Sequence, residues 1–308
     1  MLILFTNFLQ TRKKTGELSP FRDGTFINFW STDRDWRRIS FTLLPNQRAQ
    51  RSGSEYPGYW LLTIKFIQML KLDILVLSAH PDDAELGCAG TILKHIALGK
   101  KVGIADLTLG ELGTRGTAEI REREAAAAAG ILGLSVRENL GLPDGFFQNT
   151  QEHQLKIIET IRKYQPEVVL TNAYHDRHPD HGRASELVET ASFLAGLIKI
   201  ETRVDGRRQE AWRPNLVLHF IQDNYIEPDI LVDVTDHWDK KIDSIKAFKS
   251  QFYNPGDDNE PQTYISSPEF IQVVESRARE FGKSIRAKYA EGFTSRKFLG
   301  VDNFFDLS

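Results

Sequence analysis

From Leu72 onward the chain alternates short apolar runs with segments of helical period, and no other feature constrains its fold as tightly. An apolar run at 73–78 is followed by a helix-like stretch over about 85–98. A strand-like run at 102–107 then precedes a helix centred on 119–132 and another over 152–164, where Leu155, Ile158 and Ile161 fall at helical spacing. A strand at 168–170 leads into a helix over about 183–198. Further strands are expected at 215–221 and 230–234, and terminal helices at 237–252 and 267–289 flanking the polar, turn-rich loop 254–261. This alternation implies one α/β domain with a Rossmann-like, mostly parallel sheet and helices on both faces.

Residues 1–68 break the pattern. They hold scattered aromatics, the basic clusters Arg12-Lys13-Lys14 and Arg37-Arg38, and a polar stretch at 46–58, with no clear period. The α/β domain is therefore expected over 69–308, with Met69 as the true translation start and 1–68 read from upstream sequence. The rival explanation is an accessory segment that docks through its aromatics.

Composition narrows the function classes. A net charge of -3 gives no reason to expect nucleic acid or an anionic membrane as partner. The single cysteine, Cys88, excludes an intramolecular disulfide and a Cys-rich zinc site, so any metal must be held by histidines and carboxylates. The longest apolar candidate span, 59–79, is interrupted by Lys65, Lys71 and Asp73 and makes a poor membrane helix. The opening Met1-Leu2-Ile3-Leu4-Phe5 run lacks a basic residue before it and a cleavage site after it, so a cytoplasmic enzyme is expected.

Two loops carry the chemistry. Ala79-His80-Pro81-Asp82-Asp83 follows the first strand of the domain, and His175-Asp176-Arg177-His178-Pro179-Asp180-His181 follows the strand at 168–170. They gather four of the chain's eight histidines at carboxyl ends of strands, the edge of a parallel sheet where sites form. His80 and Asp83, with His181 from the second loop, would make a His2Asp metal site with an open position, suited to Zn2+ and tolerant of Fe2+ or another divalent ion. Asp82 could act as general base, His178 as an imidazolium at the oxyanion or as acid to the leaving amine, and Asp180 or Asp176 could orient a histidine. Simpler readings exist: His-Pro-Asp is a common turn, Asp82 or Asp83 could merely cap the next helix, and His178 and His181 could precede theirs innocently. Two such segments after two strands favour the metal. His95, His153, His219 and His237 have no ligand-spaced neighbours, and Cys88 reads as a small packing residue. The glycine-rich stretch 109–117 could bind phosphate but fits neither the dinucleotide nor the Walker pattern, a weak signal. Arg121 could reach the sheet edge to hold a polar or anionic group, or form local ion pairs on a solvated helix.

These segments resemble the LmbE-like (PIG-L) zinc deacetylases, from Leu72 nearly to the C-terminus. Gly110-Glu111-Leu112-Gly113-Thr114-Arg115-Gly116-Thr117, Asn172 to Arg183, Ala247-Phe248-Lys249-Ser250-Gln251-Phe252 and Tyr289-Ala290-Glu291-Gly292-Phe293 are similar to the bacillithiol-biosynthesis branch. The resemblance implies His80, Asp83 and His181 as zinc ligands, Asp82 as base, His178 at the oxyanion with Asp180 oriented towards it, and Arg121 on the sugar. The branch implies N-acetylglucosaminyl-malate as substrate, with Arg177 and Arg115 as candidates for the malate carboxylates. Other N-acetylated sugars or thiol conjugates, and a non-catalytic metal- or sugar-binding module, are the alternatives. A homo-oligomer is possible in such a family, and the aromatic stretch 298–305 could serve a subunit contact or the core.

Overall fold

A computed structural model of the chain describes residues 26–29, 37–44, 61–68, 70–253 and 260–306. Met69, the expected domain start, and most of the expected loop 254–261 lie outside the described residues. The chain divides into two units, Met1–Met69 and Leu70–Ser308. Within the first, strands β1 (Phe26–Phe29), β2 (Arg37–Leu44) and β3 (Leu61–Gln68) pair antiparallel in that order.

The second unit is built on a seven-stranded sheet. Its strands are β4 (Ile74–Ser78), β5 (Val102–Thr108), β6 (Val136–Leu142), β7 (Val168–Asn172), β10 (Leu216–Phe220), β11 (Ile230–Asp233) and β12 (Ala290–Thr294), in the order β11-β12-β10-β7-β4-β5-β6. A short ribbon, β8 (Arg203–Val204) with β9 (Arg207–Arg208), stands apart. Neighbours from β10 to β6 run parallel, and only β12 runs against the others. The expected mostly parallel α/β sheet is what forms.

Both faces are covered because the central strands are apolar on both sides. Leu75 and Leu77 of β4 pack with Ile157, Ile158 and Ile161 of α3 (Gln151–Tyr164) and with Leu187 and Val188 of α4 (Pro179–Ala195). Ile74 and Val76 face the other way, onto Ala84, Cys88 and Ile92 of α1 (Asp83–Ala97). Helix α2 (Ala118–Leu132) and α5 (Trp238–Lys246) extend that second layer through Ala125, Ala128 and Ile245, with Phe248 just past α5. α6 (Phe270–Ser284) packs through Ala278 against Trp238 and Tyr289. Burying such a Leu or Ile side chain contributes about 1.5–3 kcal/mol, so β4, buried along its whole length, is firmly anchored.

Chain order in the sheet reverses at β4. The chain steps outward from β4 to β5 and β6, then returns to β7 on the other side of β4 and moves on to β10. A crevice opens where two adjacent parallel strands send their following segments to opposite sides. The two His/Asp loops follow β4 and β7, so they meet at that crevice.

Three expectations need correction. β6 and β12 were not expected as strands. β6 is an edge strand carrying Arg137, Glu138 and Asn139, and β12 holds Glu291 and Gly292 in a fully buried strand. The terminal helices are also shorter than their patterns, ending at Lys246 and Ser284. Core packing does not explain the C-terminal aromatics, since Phe298, Phe304 and Phe305 are exposed. Among the described residues, no helix is long and apolar enough to cross a membrane.

Candidate metal centre and active site

Asp83 is the hub of the crevice. Its Oδ2 accepts from the His80 amide (2.9 Å) and from Asn172 Nδ2 (3.0 Å), and its Oδ1 accepts from Gln222 Nε2 (2.9 Å). Asn172, the last residue of β7, also accepts from the Ala79 amide (2.8 Å), tying the ends of β4 and β7 together. The carboxylate then meets two imidazoles: His80 Nδ1 lies 3.4 Å from Oδ2 and His181 Nε2 3.1 Å from Oδ1.

Each of these histidines turns its other nitrogen onto a carboxylate. His181 Nδ1 lies 2.7 Å from Asp176, and His80 Nε2 lies 3.0 Å from Asp144 and 3.3 Å from Asp180. A carboxylate behind an imidazole fixes the ring and directs the remaining nitrogen forward, the arrangement found behind metal-binding histidines. Burial opposes charge on His181, but the Asp83 carboxylate and hydrogen bonds to Asp176 and Asp83 outweigh it and hold the ring at about 9. Burial opposes charge on His80 as well, yet Asp144, Asp180 and Asp83 raise it well above the ordinary histidine value. The cluster therefore favours positive charge at its centre, and its donors fit a divalent cation of the zinc type. Ring nitrogens of His80, His178 and His181 lie within 4.8 Å of one another, as do donors of His80, Asp144 and Asp180.

His178 differs from its neighbours. It caps α4, its Nδ1 accepting from the Asp180 amide (3.3 Å). A ring that accepts at Nδ1 carries its proton on Nε2 and offers the centre a donor, not a lone pair. Burial, with the His80 and His181 charges, lowers it below the ordinary histidine value. That direction disfavours the expected imidazolium. Asp180 is likewise not hydrogen-bonded to His178 through its side chain. Its Oδ2 faces His80 and accepts from the Gly145 amide (2.8 Å), and its Oδ1 accepts from Arg183 (2.6 Å). The His80 ring and the Gly145 amide, working against burial, hold Asp180 down at about 2.

Asp82 stands beside the cluster. It occupies the N-cap position of α1 with φ 118°, and its side chain makes no capping bond, so the simple capping reading fails for it. Burial pushes its carboxyl up to about 7, with the Arg121 guanidinium opposing and the Asp83 charge adding. Arg121 is buried and donates to Pro81 O (2.6 Å), Asp82 Oδ2 (3.1 Å) and Gly110 O (3.2 Å). Gly110, at φ +66°, is required there, because a Cβ would lie 2.0 Å from Arg121 Nη1. The structure thus sets Arg121 beside Asp82 and buries it, which overturns the reading as a solvated helix residue.

Arg115 is held by the fold. Its buried guanidinium donates from Nε to Ser250 O and from Nη1 to the carbonyls of Glu260 and Pro261. Arg177 is half exposed, bonded to Asp223 (2.5 Å) and lying over the Tyr264 ring. It lines a small, open cleft with His181, Leu86, Gln222, Phe270 and Arg277. Sequence reasoning missed Asp144, Gln222 and the bridging role of Asn172. Asp144 sits in a Pro143-Asp144-Gly145 turn that gave only a turn signal. Among the remaining histidines, His219 and His95 are placed as structural groups. His219 is buried against Ser185, Asn172 O and Glu189, and His95 bonds back to Thr91 O. Cys88 is buried, as a packing residue should be.

The PIG-L family profile, GlcNAc-PI de-N-acetylase, matches residues 75–192. Diacetylchitobiose deacetylase of Thermococcus kodakarensis is 30% identical, covering 75% of this chain and 86% of its own. 4-Oxalmesaconate hydratase of Pseudomonas putida is 29% identical, over 58% of this chain and 73% of its own. Probable N-acetyl-alpha-D-glucosaminyl L-malate deacetylase 2 of Bacillus anthracis is 27% identical, over 58% and 81%. Among solved structures, the conserved protein TT1542 of Thermus thermophilus superposes with a TM-score of 0.66 at 37% identity, covering 75% of this chain and 98% of that one.

Proposed function

This chain belongs to the PIG-L family of de-N-acetylases, and we propose that it hydrolyses the acetamide of an N-acetylglucosaminyl conjugate. The observation that carries this reading is Asp82, a buried carboxyl brought to about 7 beside a centre that favours a cation. A metal- or sugar-binding module has no evident use for such a base. His80, Asp83 and His181 are the ligands we propose, because Asp83 touches one nitrogen of each ring while a carboxylate holds the other. His178 is left out, since its Nδ1 already accepts a hydrogen bond. Bound there, Zn2+, or Fe2+ in its place, would polarise the acetyl carbonyl and acidify a water. Asp82 takes the water proton, near neutrality by virtue of its raised pKa. Arg121 keeps that carboxylate oriented. His178 Nε2–H donates to the oxygen on which negative charge grows, and Asp82 returns its proton to the departing amine.

For the substrate we propose N-acetylglucosaminyl-malate, cleaved to glucosaminyl-malate and acetate as in bacillithiol biosynthesis. The support is the similarity to the Bacillus malate-conjugate relative, together with Arg177 on the cleft wall beside His181. The test is amine release by metal-defined protein from the malate conjugate, N-acetylglucosamine, diacetylchitobiose and other N-acetylated sugar or thiol conjugates. Fast release from the malate conjugate alone supports the full reading. Comparable release from neutral sugars removes the malate assignment. Release from none, with hydration of an unsaturated dicarboxylate instead, would move the chain to the chemistry named for its hydratase relative.

A further inference from the structure

Helix α1 is broken behind the site. Cys88 sits inside it at φ -145°, leaving a one-turn segment with Asp83 and Glu85 ahead of a longer piece that runs on to Ala97. The break frees groups that a continuous helix would pair, among them the Leu86 carbonyl and the Gly90 and Thr91 amides. Two buried side chains from other elements take all three. Lys241 of α5 donates from Nζ to Leu86 O (2.7 Å). Glu291 of β12 accepts from the Gly90 amide (2.9 Å) and the Thr91 amide (2.7 Å). The two are joined to each other, Lys241 Nζ to Glu291 Oε1, at 2.6 Å. The lysine thus closes the carbonyl end of the first piece, and the glutamate closes the amide end of the second.

A buried ion pair is a poor device for stability, since apolar side chains of similar volume often do as well or better. What this pair supplies is geometry. We propose that Lys241 and Glu291 are positioning residues for the hydrolysis: by holding α1 broken they set the short segment 83–87, and with it Asp82 and Asp83, at the centre. Asp82 is in a backbone conformation that a non-glycine residue keeps only when its surroundings over-determine it. Arg121 holds it from the front, and the Lys241–Glu291 pair holds the segment from behind. This inference rests on the roles proposed above for Asp82 and Asp83.

The test compares full-length wild type with Lys241→Arg, Lys241→Met and Glu291→Gln. It reads kcat and KM on the acetamide that wild type cleaves, the absorption spectrum of bound Co2+, and the melting temperature. Lys241→Met and Glu291→Gln should lose about tenfold or more in kcat, with KM held within about twofold. Their Co2+ bands should shift as Asp83 moves, and Lys241→Arg should keep both properties. Unchanged kcat and an unchanged Co2+ spectrum in variants that merely melt earlier would overturn the proposal. If those variants do not fold, Glu291→Asp, too short to span both amides, is judged by the same readouts. Wild type that binds Co2+ but cleaves no acetamide would instead overturn the functional reading, and the Co2+ shift would still decide the positioning of Asp83.

Discussion

Asp82 and Asp83 are adjacent, equally buried, and opposite in behaviour. Burial pushes both carboxyls up, but His181 and His80 outweigh it at Asp83 and hold that group well below the ordinary carboxylate range. At Asp82 the Arg121 and His80 charges oppose burial without outweighing it, and the group stays near 7. Two carboxyls separated in this way can divide ligand and base roles between them. Carboxylates behind the rings should matter nearly as much as the ligands: Asp176→Asn should weaken Zn2+ about 10–100-fold in chelator competition, and unchanged affinity would contradict that role. His181 also sets a pH dependence. In protein stripped of metal its raised pKa adds stability below its ordinary value of 6.5, and that stability is lost as pH rises through about 9. Asp82, also raised, works in the same direction over its lower window, from 3.8 to about 7. Zn2+ needs deprotonated rings, so the rise in melting temperature on adding Zn2+ should grow between pH 6.5 and 9. A gain that shrinks over that range would contradict the assignment.

At the scale of elements, the parts that were legible in sequence are those with a strong local signal. The apolar run of β4 and the paired His/Asp loops located the crevice, because a fully buried parallel strand must be apolar on both sides. The helical period located α3 from Ile158 and Ile161. What was not legible depends on distant partners. β12 forms around Glu291 because Lys241 and the α1 amides neutralise it, and neither partner is near it in sequence. Asp144 joins His80 across 64 residues, and the fates of Arg115 and Arg121 depend on carbonyls that only the fold brings close. The small residues around the break have a packing cause: a Cβ on Gly87 would lie 2.2 Å from the Phe220 ring. Gly87→Ala should therefore destabilise by about 1–3 kcal/mol in urea unfolding, through overpacking. A neutral effect would mean that the ring moves aside freely.

For the molecule as a whole, the reversal of strand order places the centre where β4 and β7 part, and the apolar sheet beneath holds it rigid. Arg177 lies on the wall of the small cleft beside His181, and the proposed malate conjugate makes it the residue to test. Arg177→Ala should raise KM for an anionic conjugate while leaving kcat and a neutral sugar little changed; equal losses on both substrates would remove it from recognition. The central claim is that Asp82 is the base of a metal-dependent amide hydrolysis. Its most direct test is the turnover of Asp82→Asn at measured metal content. The account predicts wild-type metal stoichiometry with kcat lower by about a hundredfold or more. A variant that keeps its metal and turns over at nearly the wild-type rate would contradict it.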